Sequence, residues 1–257
     1  MGQLGRYLYC IIPCSEERAF DGAVPIGDGS GPIYTIPNAG LATVVSDSAV
    51  GEYESTRANL LAHERVQERV MRDFALLPVR FSTVAGPTYS GQDIRRLLEK
   101  RSREFAGLLA EVEGKSEFGL KALWKDAGLP FEEIVAQNES IRRLRASLQG
   151  KPPLATHFER VRLGEMVKQA LDRKRSTEAA QILAPLRAVA HRTVENKVLM
   201  DRMIVNAAFL VAKERTGEFD ELISRLDAEL GQRVVFKYVG PTPPYNFINI
   251  TVNWSEL

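Results

Sequence analysis

RYLYCIIP, at residues 6–13, is the stretch that most constrains the fold. Its aromatic and β-branched side chains form one continuous apolar run, which is typical of a strand buried on both faces and therefore central in a sheet. IYTIP at residues 33–37 and LATVVS at residues 41–46 flank a short turn that contains Asn and Gly. These two runs predict a β-hairpin that follows the central strand.

Beyond the hairpin the sequence changes to helical spacing. Between residues 55 and 74 apolar residues and a histidine recur every three or four positions, while arginines and glutamates lie on the other side. LLPVRFSTVAGP at residues 76–87 predicts a strand, and residues 92–111 predict a second amphipathic helix. This order of elements predicts a modified ferredoxin-like α+β module over residues 1–115.

The second half, residues 116–257, predicts another α+β module with a large helical insertion. The insertion covers about residues 129–200, where the pattern is almost wholly helical and Pro152, Pro153 and Pro185 divide it into several helices. The other predicted elements are strands at residues 117–124, 203–212 and 233–241, an amphipathic helix at residues 218–230 and a candidate last strand at residues 248–254.

The charge balance argues against binding to nucleic acid or to an anionic membrane. There are 34 basic and 33 acidic residues, so any such partner would need a local patch. No stretch approaches the roughly 20 apolar residues of a membrane helix, so we expect a cytoplasmic protein. Cys10 and Cys14 are too few for a disulfide framework and are expected to be free thiols.

The histidines give little sign of catalysis. His63, His157 and His191 have no His or Cys partner at metal-ligand spacing. His63 lies on the apolar face of its predicted helix beside Glu64, which favours a buried neutral histidine that donates one hydrogen bond. The alternative is an enzyme that uses His63 as a base, and it requires an open cleft in which His63 is exposed.

Basic runs occur, notably IRRLRASLQGK at residues 141–151 and DRKRS at residues 172–176. Helical spacing distributes their charges around apolar positions, and no RNA-binding aromatic signature accompanies them. A solvated helix face is the expected role, and docking to an acidic partner surface is the alternative.

Two separated segments carry a resemblance to a known family. They are HERVQERVMRDFALLPVRFSTVAG at residues 63–86 and FKYVGPTPPYNFINI at residues 236–250. Together they resemble the gas-vesicle protein F/L family, in which a helix with His-Glu precedes Leu-Pro-x-Arg-Phe-Gly-Thr, and Tyr-x-Gly-Pro-Trp-Pro-Pro-Tyr-x-Phe lies near the C-terminus. The matching residues are His63, Glu64, Leu77, Pro78, Arg80, Phe81, Thr83, Tyr238, Gly240, Pro241, Pro243, Pro244, Tyr245 and Phe247.

Two positions depart from the family pattern. Ser82 stands where Gly is usual, and we expect it to need only a strand conformation that accepts a small side chain. Thr242 stands where Trp is usual, which puts a contact centred on that aromatic ring in doubt.

The resemblance implies an accessory protein of gas-vesicle formation, located at the gas vesicle within the cytoplasm. It implies binding to the small hydrophobic shell protein, with other gas-vesicle accessory proteins as further candidate partners. Enzymatic activity, a cofactor, a metal, nucleic acid and a lipid membrane are not expected. The alternative is a ferredoxin-like regulatory protein that binds a small metabolite, which predicts a pocket lined by convergent polar groups.

The candidate partner-binding residues pair rigid proline turns with aromatic rings, which are enriched at interface hot spots. An alternative is that they only pack the two modules together. The residues are Arg80 and Phe81 in the first motif and Pro243, Pro244, Tyr245 and Phe247 in the second.

Overall fold

The computed structural model describes residues 4–27, 30–49, 51–86 and 91–254. The described residues divide into two compact units. Unit 1 comprises Met1–Glu117 and Gly240–Leu257, and unit 2 comprises Phe118–Val239. The predicted division at residues 115 and 116 stays a prediction, but it differs from these units because Gly240–Leu257 groups with the first part of the chain.

The described part of unit 1 is built on a five-stranded sheet in the order β2-β3-β1-β4, with β5 also paired to β1. Tyr7 through Ile12 are fully buried, which confirms that the first apolar run is a central strand. The hairpin is also confirmed, with Ile33 opposite Ser46 and Asn38 opposite Leu41. The strands are β1 (Gly5–Ile12), β2 (Ile33–Asn38), β3 (Leu41–Ser48), β4 (Leu77–Pro78) and β5 (Val84–Ala85).

Helix α1 (Arg57–Met71) begins at Thr56, whose side chain accepts a hydrogen bond from the backbone of Asn59. Its buried residues include His63, Val66 and Val70, which form the predicted stripe at helical spacing and pack toward β1.

The helix predicted over residues 92–111 is two helices, α2 (Gly91–Lys100) and α3 (Ser102–Val112). They meet at Arg101, whose φ of −105° and ψ of 16° are not helical. Its guanidinium is held by both carboxylate oxygens of Glu104 and lies over the ring of Phe105. Its Nη1 also donates to the distant carbonyl of Thr251, and the apolar spacing does not reveal the break at this residue.

The strand predicted over residues 76–87 is interrupted. Only β4 and β5 pair with β1, and the chain turns between them. Ser82 has a φ of 62°, in the left-handed region, so the expectation of a strand conformation at this residue was wrong. Pro87, the last residue of the predicted strand, lies outside the described residues.

The candidate strand at residues 248–254 does not form within the described chain. The chain that leads into this segment forms turns instead. Tyr245 N donates a hydrogen bond to the carbonyl of Pro243, and Ile248 N donates one to the carbonyl of Pro244. A single parallel bridge joins Val79 to Ile250.

Unit 2 lies on a sheet of order β7-β8-β6-β9, with its apolar core against the helices. The chain crosses between the units within β6 and again within β9. The elements are β6 (Lys115–Trp124), α4 (Leu129–Gln137), α5 (Glu139–Leu148), α6 (His157–Val189), β7 (Arg192–Glu195), β8 (Met203–Ala212), α7 (Thr216–Leu230) and β9 (Val234–Thr242).

The helical insertion differs from its prediction at two points. Pro185 does not end a helix, because α6 continues through it for 33 residues in all. Ile182, Leu183 and Leu186 are buried in the core on either side of the proline, and this burial offsets a proline cost of about 3 kcal/mol. The second difference is β7, which pairs with β8 inside the region predicted to be helical.

The α+β class is therefore confirmed, whereas the ferredoxin-like description of the first module stays a prediction. Across the described chain, no helix combines the length and the apolar character needed to cross a membrane.

Candidate functional site

A groove of about 300 Å³ lies in unit 1, and we call it the α1 groove. It gathers three segments that are distant in sequence: one side of α1, the chain that follows β4, and the turns near the C-terminus. Three of the six predicted partner-binding residues, Arg80, Phe81 and Tyr245, line it together. Its lining residues are Leu60, His63, Glu64, Pro78, Val79, Arg80, Phe81, Tyr245, Ile248, Asn249 and Ile250.

The other predicted residues hold different positions. Pro243 and Pro244 are buried, and their carbonyls accept the hydrogen bonds that shape the C-terminal turns. Phe247 is half-buried and does not line the groove. Tyr245 itself is 37% exposed.

The C-terminal turns are fixed by a carboxylate that the sequence reasoning missed. Glu117 is only 3% exposed, and its two carboxylate oxygens accept hydrogen bonds from Asn246 N at 2.8 Å and Asn246 Nδ2 at 2.6 Å. Burial raises the pKa of Glu117, and the two hydrogen bonds from Asn246 oppose that rise. The available signal was an acidic residue at the start of the predicted strand EFGLKALW.

Thr242, which replaces the usual tryptophan, also contacts this region. Its Oγ1 donates a weak hydrogen bond to the carbonyl of Glu117 at 3.3 Å. The hydroxyl therefore ties the start of the loop to β6 with a polar contact.

One wall of the groove is closed by His63. The side chain is 4% exposed, and its Nδ1 lies 2.9 Å from the hydroxyl of Tyr7. On the other side, Gln67 Nε2 lies 2.8 Å from His63 Nε2 and also donates to the carbonyl of Tyr9 at 2.6 Å. Both ring nitrogens of His63 therefore lie within hydrogen-bond distance of a buried polar side chain.

Burial lowers the pKa of His63 to about 4, so the ring is neutral at pH 7. The predicted buried neutral histidine is confirmed. The ring also stands edge to face against Phe81, with centroids 5.7 Å apart, so it positions one of the groove residues. Within the described residues there is no cluster of three histidine, cysteine or acidic side chains that could hold a metal ion.

The turn at Ser82 connects the groove to this network. Ser82 N donates to the hydroxyl of Tyr7 at 3.1 Å, and Ser82 Oγ accepts from Tyr53 N at 2.8 Å. The serine hydroxyl thus offsets part of the strain of its positive φ, where glycine is usual in the resembled family. The same turn sets the direction of Arg80 and Phe81.

Opposite charges stand on two sides of the groove. Burial and the nearby charge of Glu68 raise the pKa of Glu64, and burial together with Glu64 and Glu68 raises the pKa of Tyr245. Arg80 is exposed, and its guanidinium forms no ion pair within the described part of the chain. An apolar groove with a carboxylate on one side and a free guanidinium on the other suits an amphipathic protein segment.

Comparison with known proteins gives consistent results. The family model described as gas vesicle synthesis protein GvpL/GvpF matches residues 5–249. Gas vesicle protein F of Microcystis aeruginosa is 26% identical over 249 residues, covering 96% of this chain and 99% of that protein. Gas vesicle protein L1 of Halobacterium salinarum is 28% identical, covering 95% of this chain and 90% of that protein.

Solved structures agree with the sequence relatives. The crystal structure of gas vesicle protein GvpF from Anabaena matches with a TM-score of 0.82 and 25% identity, over 97% of this chain and 100% of that one. The crystal structure of GvpF from Microcystis aeruginosa matches with a TM-score of 0.78 and 27% identity, over 95% of this chain and 98% of that one.

Proposed function

The chain belongs to the gas vesicle synthesis protein GvpL/GvpF family and takes part in gas-vesicle formation, and from that premise we propose that it binds the small hydrophobic shell protein through the α1 groove. In this role it acts as an accessory protein, without enzymatic activity and without a cofactor. Its site of action is the gas vesicle within the cytoplasm. Other gas-vesicle accessory proteins are further candidate partners.

The observation that carries the proposal is the meeting of both motif segments at one groove. Leu60 and Tyr245 are 38% and 37% exposed, and Phe81 is half-buried between them and the core. An apolar segment lying on these side chains would remove their surface from water, at about 25 cal/mol per Å². A shell subunit held in this way would be protected from aggregation before assembly.

The groove is also rigid, which favours binding. Tyr245 sits between two buried prolines and Asn246, and Asn246 is tied to Glu117 by two hydrogen bonds. Because the binding residues are already ordered, less conformational entropy is lost when a partner docks. Glu64 and Arg80 then set the orientation of a partner that carries complementary charges.

The test is co-expression of the tagged chain with the shell protein, followed by measurement of the shell protein retained on the tag. Tyr245→Ala and Arg80→Ala should each reduce the retained amount, and the pair should reduce it about tenfold or more. Both side chains are exposed enough that the fold should survive, which far-ultraviolet circular dichroism and urea unfolding would check.

Arg103→Ala is a matched control, because Arg103 is also an exposed arginine of unit 1 but does not line the groove. It should leave retention unchanged. Undiminished retention by a folded Tyr245→Ala, Arg80→Ala double variant would exclude the α1 groove as the binding surface. Absence of retention even by the unaltered chain would exclude shell-protein binding itself.

The two alternative functions make different demands on the same groove. A metabolite-binding regulator needs convergent polar side chains, whereas most of the residues that line this groove are apolar, among them Pro78, Val79 and Ile250. A base at His63 needs an exposed ring, and the ring is 4% exposed with both nitrogens occupied. These observations favour the binding of an apolar protein segment.

A further inference from the structure

The hairpin of α5 and α6 in unit 2 ends in unusually exposed apolar side chains. Leu154, in the turn before α6, is 96% exposed, and Phe158 in the first turn of α6 is 84% exposed. Val161, one turn later on the same side of the helix as Phe158, is 47% exposed. We call Leu154, Phe158 and Val161 the hairpin tip. Apolar residues so exposed and so close together mark an interaction site more often than a stable free surface.

The hairpin tip lies outside the described apolar core of unit 2. The residues of α6 that pack against the core in this region include Leu163, Val167 and Ala170. At 3.6 residues per turn, these lie on the side of the helix opposite Phe158 and Val161. The helix therefore carries two apolar faces, and only the inner one is used by the fold.

The hairpin is also a basic segment of an almost neutral chain. Residues 139–168 contain seven Lys or Arg and three Glu, an excess of four positive charges, while the whole chain has an excess of one. Arg145, Lys151 and Arg162 are exposed and form no ion pair in the parts of the chain that the structure describes. Arg162 follows Phe158 by four residues, so its charge lies beside the apolar face.

From this combination we propose that the hairpin tip binds an acidic amphipathic helix of a partner protein. Leucine-type side chains of the partner cover Leu154, Phe158 and Val161, and its carboxylates lie toward Arg145, Lys151 and Arg162. Phe158 and Val161 are three positions apart on α6, which is the spacing of neighbouring helix anchors, and Leu154 lies in the turn just before them. The positive rim gives such a complex its orientation and a fast association rate.

The length of the apolar face favours a protein partner over an anionic lipid surface. After Val161 the outer side of α6 continues with Glu165 and Lys168, both exposed. A helix that lies in a membrane interface needs an apolar face along its length. Here that face ends after two turns, which fits the docking of one short helix.

The experiment uses the full chain and a synthetic helix of roughly 18 residues, with leucine on one face and glutamate on the other. Binding is measured by fluorescence anisotropy of the labelled peptide. Leu154→Ser together with Phe158→Ser should weaken binding at least tenfold, and so should Arg145→Glu together with Arg162→Glu. Val24→Ser is the matched control, since Val24 is an apolar residue of unit 1 that is 63% exposed, and it should bind as the unaltered chain does.

Two further probes test whether binding needs acidic side chains on the peptide and whether the hairpin tip binds a lipid surface instead. The same peptide with lysine in place of glutamate should not bind, and vesicles of mixed anionic and zwitterionic phospholipid should not sediment the chain. The proposal is overturned if the acidic peptide fails to bind, if the lysine peptide binds equally, or if the tip variants behave like Val24→Ser. Sedimentation with vesicles that depends on Phe158, without peptide binding, would assign the tip to a membrane and would also overturn it.

Discussion

Glu117 and Asn246 lie 129 residues apart and are joined by two hydrogen bonds, so a buried carboxylate at the start of one strand fixes the loop that presents Tyr245. The position of Tyr245 in the α1 groove therefore depends on Glu117, which does not itself line the groove. The turns of this C-terminal segment combine that bond to Asn246 N with hydrogen bonds from neighbouring amides to the carbonyls of Pro243 and Pro244.

Glu117→Gln should destabilise the protein and loosen this loop. A glutamine offers one acceptor oxygen where the carboxylate offers two, and its amide would face a donor of Asn246. We expect a loss of about 1–3 kcal/mol in the free energy of unfolding. Urea unfolding measures the loss, and hydrogen exchange at the Asn246 amide measures the loosening.

Glu113→Gln is the matched control for that substitution, because Glu113 is exposed on the same stretch of chain. It should change neither quantity. Equal stability of the two variants would mean that the Glu117 pair is not important to the fold.

Glu117 also illustrates how far sequence reasoning could reach. Continuous apolar runs identified β1 and β8, and helical stripes identified α1 and α7, because these patterns report burial directly. Glu117 lies in such a run, but its partner is in a distant turn, and periodicity holds no information about that pairing. The same limit applies to the contact between Arg101, where α2 ends, and the carbonyl of Thr251, which is 150 residues away.

The candidate site was predicted in part for a similar reason. Arg80, Phe81 and Tyr245 belong to motifs and were found, and they do share one groove. Pro243 and Pro244 belong to the same motif but are buried. A motif marks a constrained position, and it does not show whether the residue stabilises the fold or contacts a partner. The part of the groove formed by α1 could not be assigned from the sequence. The turn at Ser82 decides which residues of the segment after β4 lie opposite α1, and the sequence did not predict that turn.

His63 should make stability depend on pH. Its pKa falls from 6.5 in the unfolded chain to about 4 in the folded protein, so the unfolded chain binds more protons between these values. The stabilisation is complete above pH 6.5 and is lost as the pH falls toward 4. At about 1.4 kcal/mol for each pH unit, the loss approaches about 3 kcal/mol.

The measurement is urea unfolding across that pH window for the unaltered chain and for His63→Gln. Carboxylates titrate in the same range in both proteins, so the difference between the two curves isolates the histidine. Parallel curves would show that His63 does not gain its proton on unfolding.

Substitutions at Ser82 should measure the free-energy cost of its left-handed backbone conformation. Ser82→Ala removes the hydrogen bond to Tyr53 but keeps a Cβ at a φ of 62°, so it should lose about 1 kcal/mol of stability. Ser82→Gly loses the same bond but removes about 1 kcal/mol of strain, so it should be close to the unaltered chain. Thermal or urea unfolding of the three proteins would test this order, and an alanine variant as stable as the glycine variant would contradict it.

In unit 2, the stability of the helical insertion should depend on Lys174. Its ammonium lies 2.6 Å from Glu133 and 3.2 Å from Glu178, and Glu178 in turn accepts the indole hydrogen of the fully buried Trp124 at 2.7 Å. Although desolvation raises the pKa of Glu133, the hydrogen bond and charge of Lys174 and the charge of Arg233 bring it below its usual value. Two carboxylates therefore share cations that link α4, α6 and the start of β9.

Lys174→Met should leave these carboxylates with Arg233 alone and lower the free energy of unfolding by about 2 kcal/mol. Adding Glu133→Leu should recover part of that loss, because the methionine variant carries one more negative charge than the remaining cation can pair. A double-mutant cycle by urea unfolding gives the coupling between the two sites. If the two losses simply add, Lys174 and Glu133 are not coupled, which would contradict this prediction.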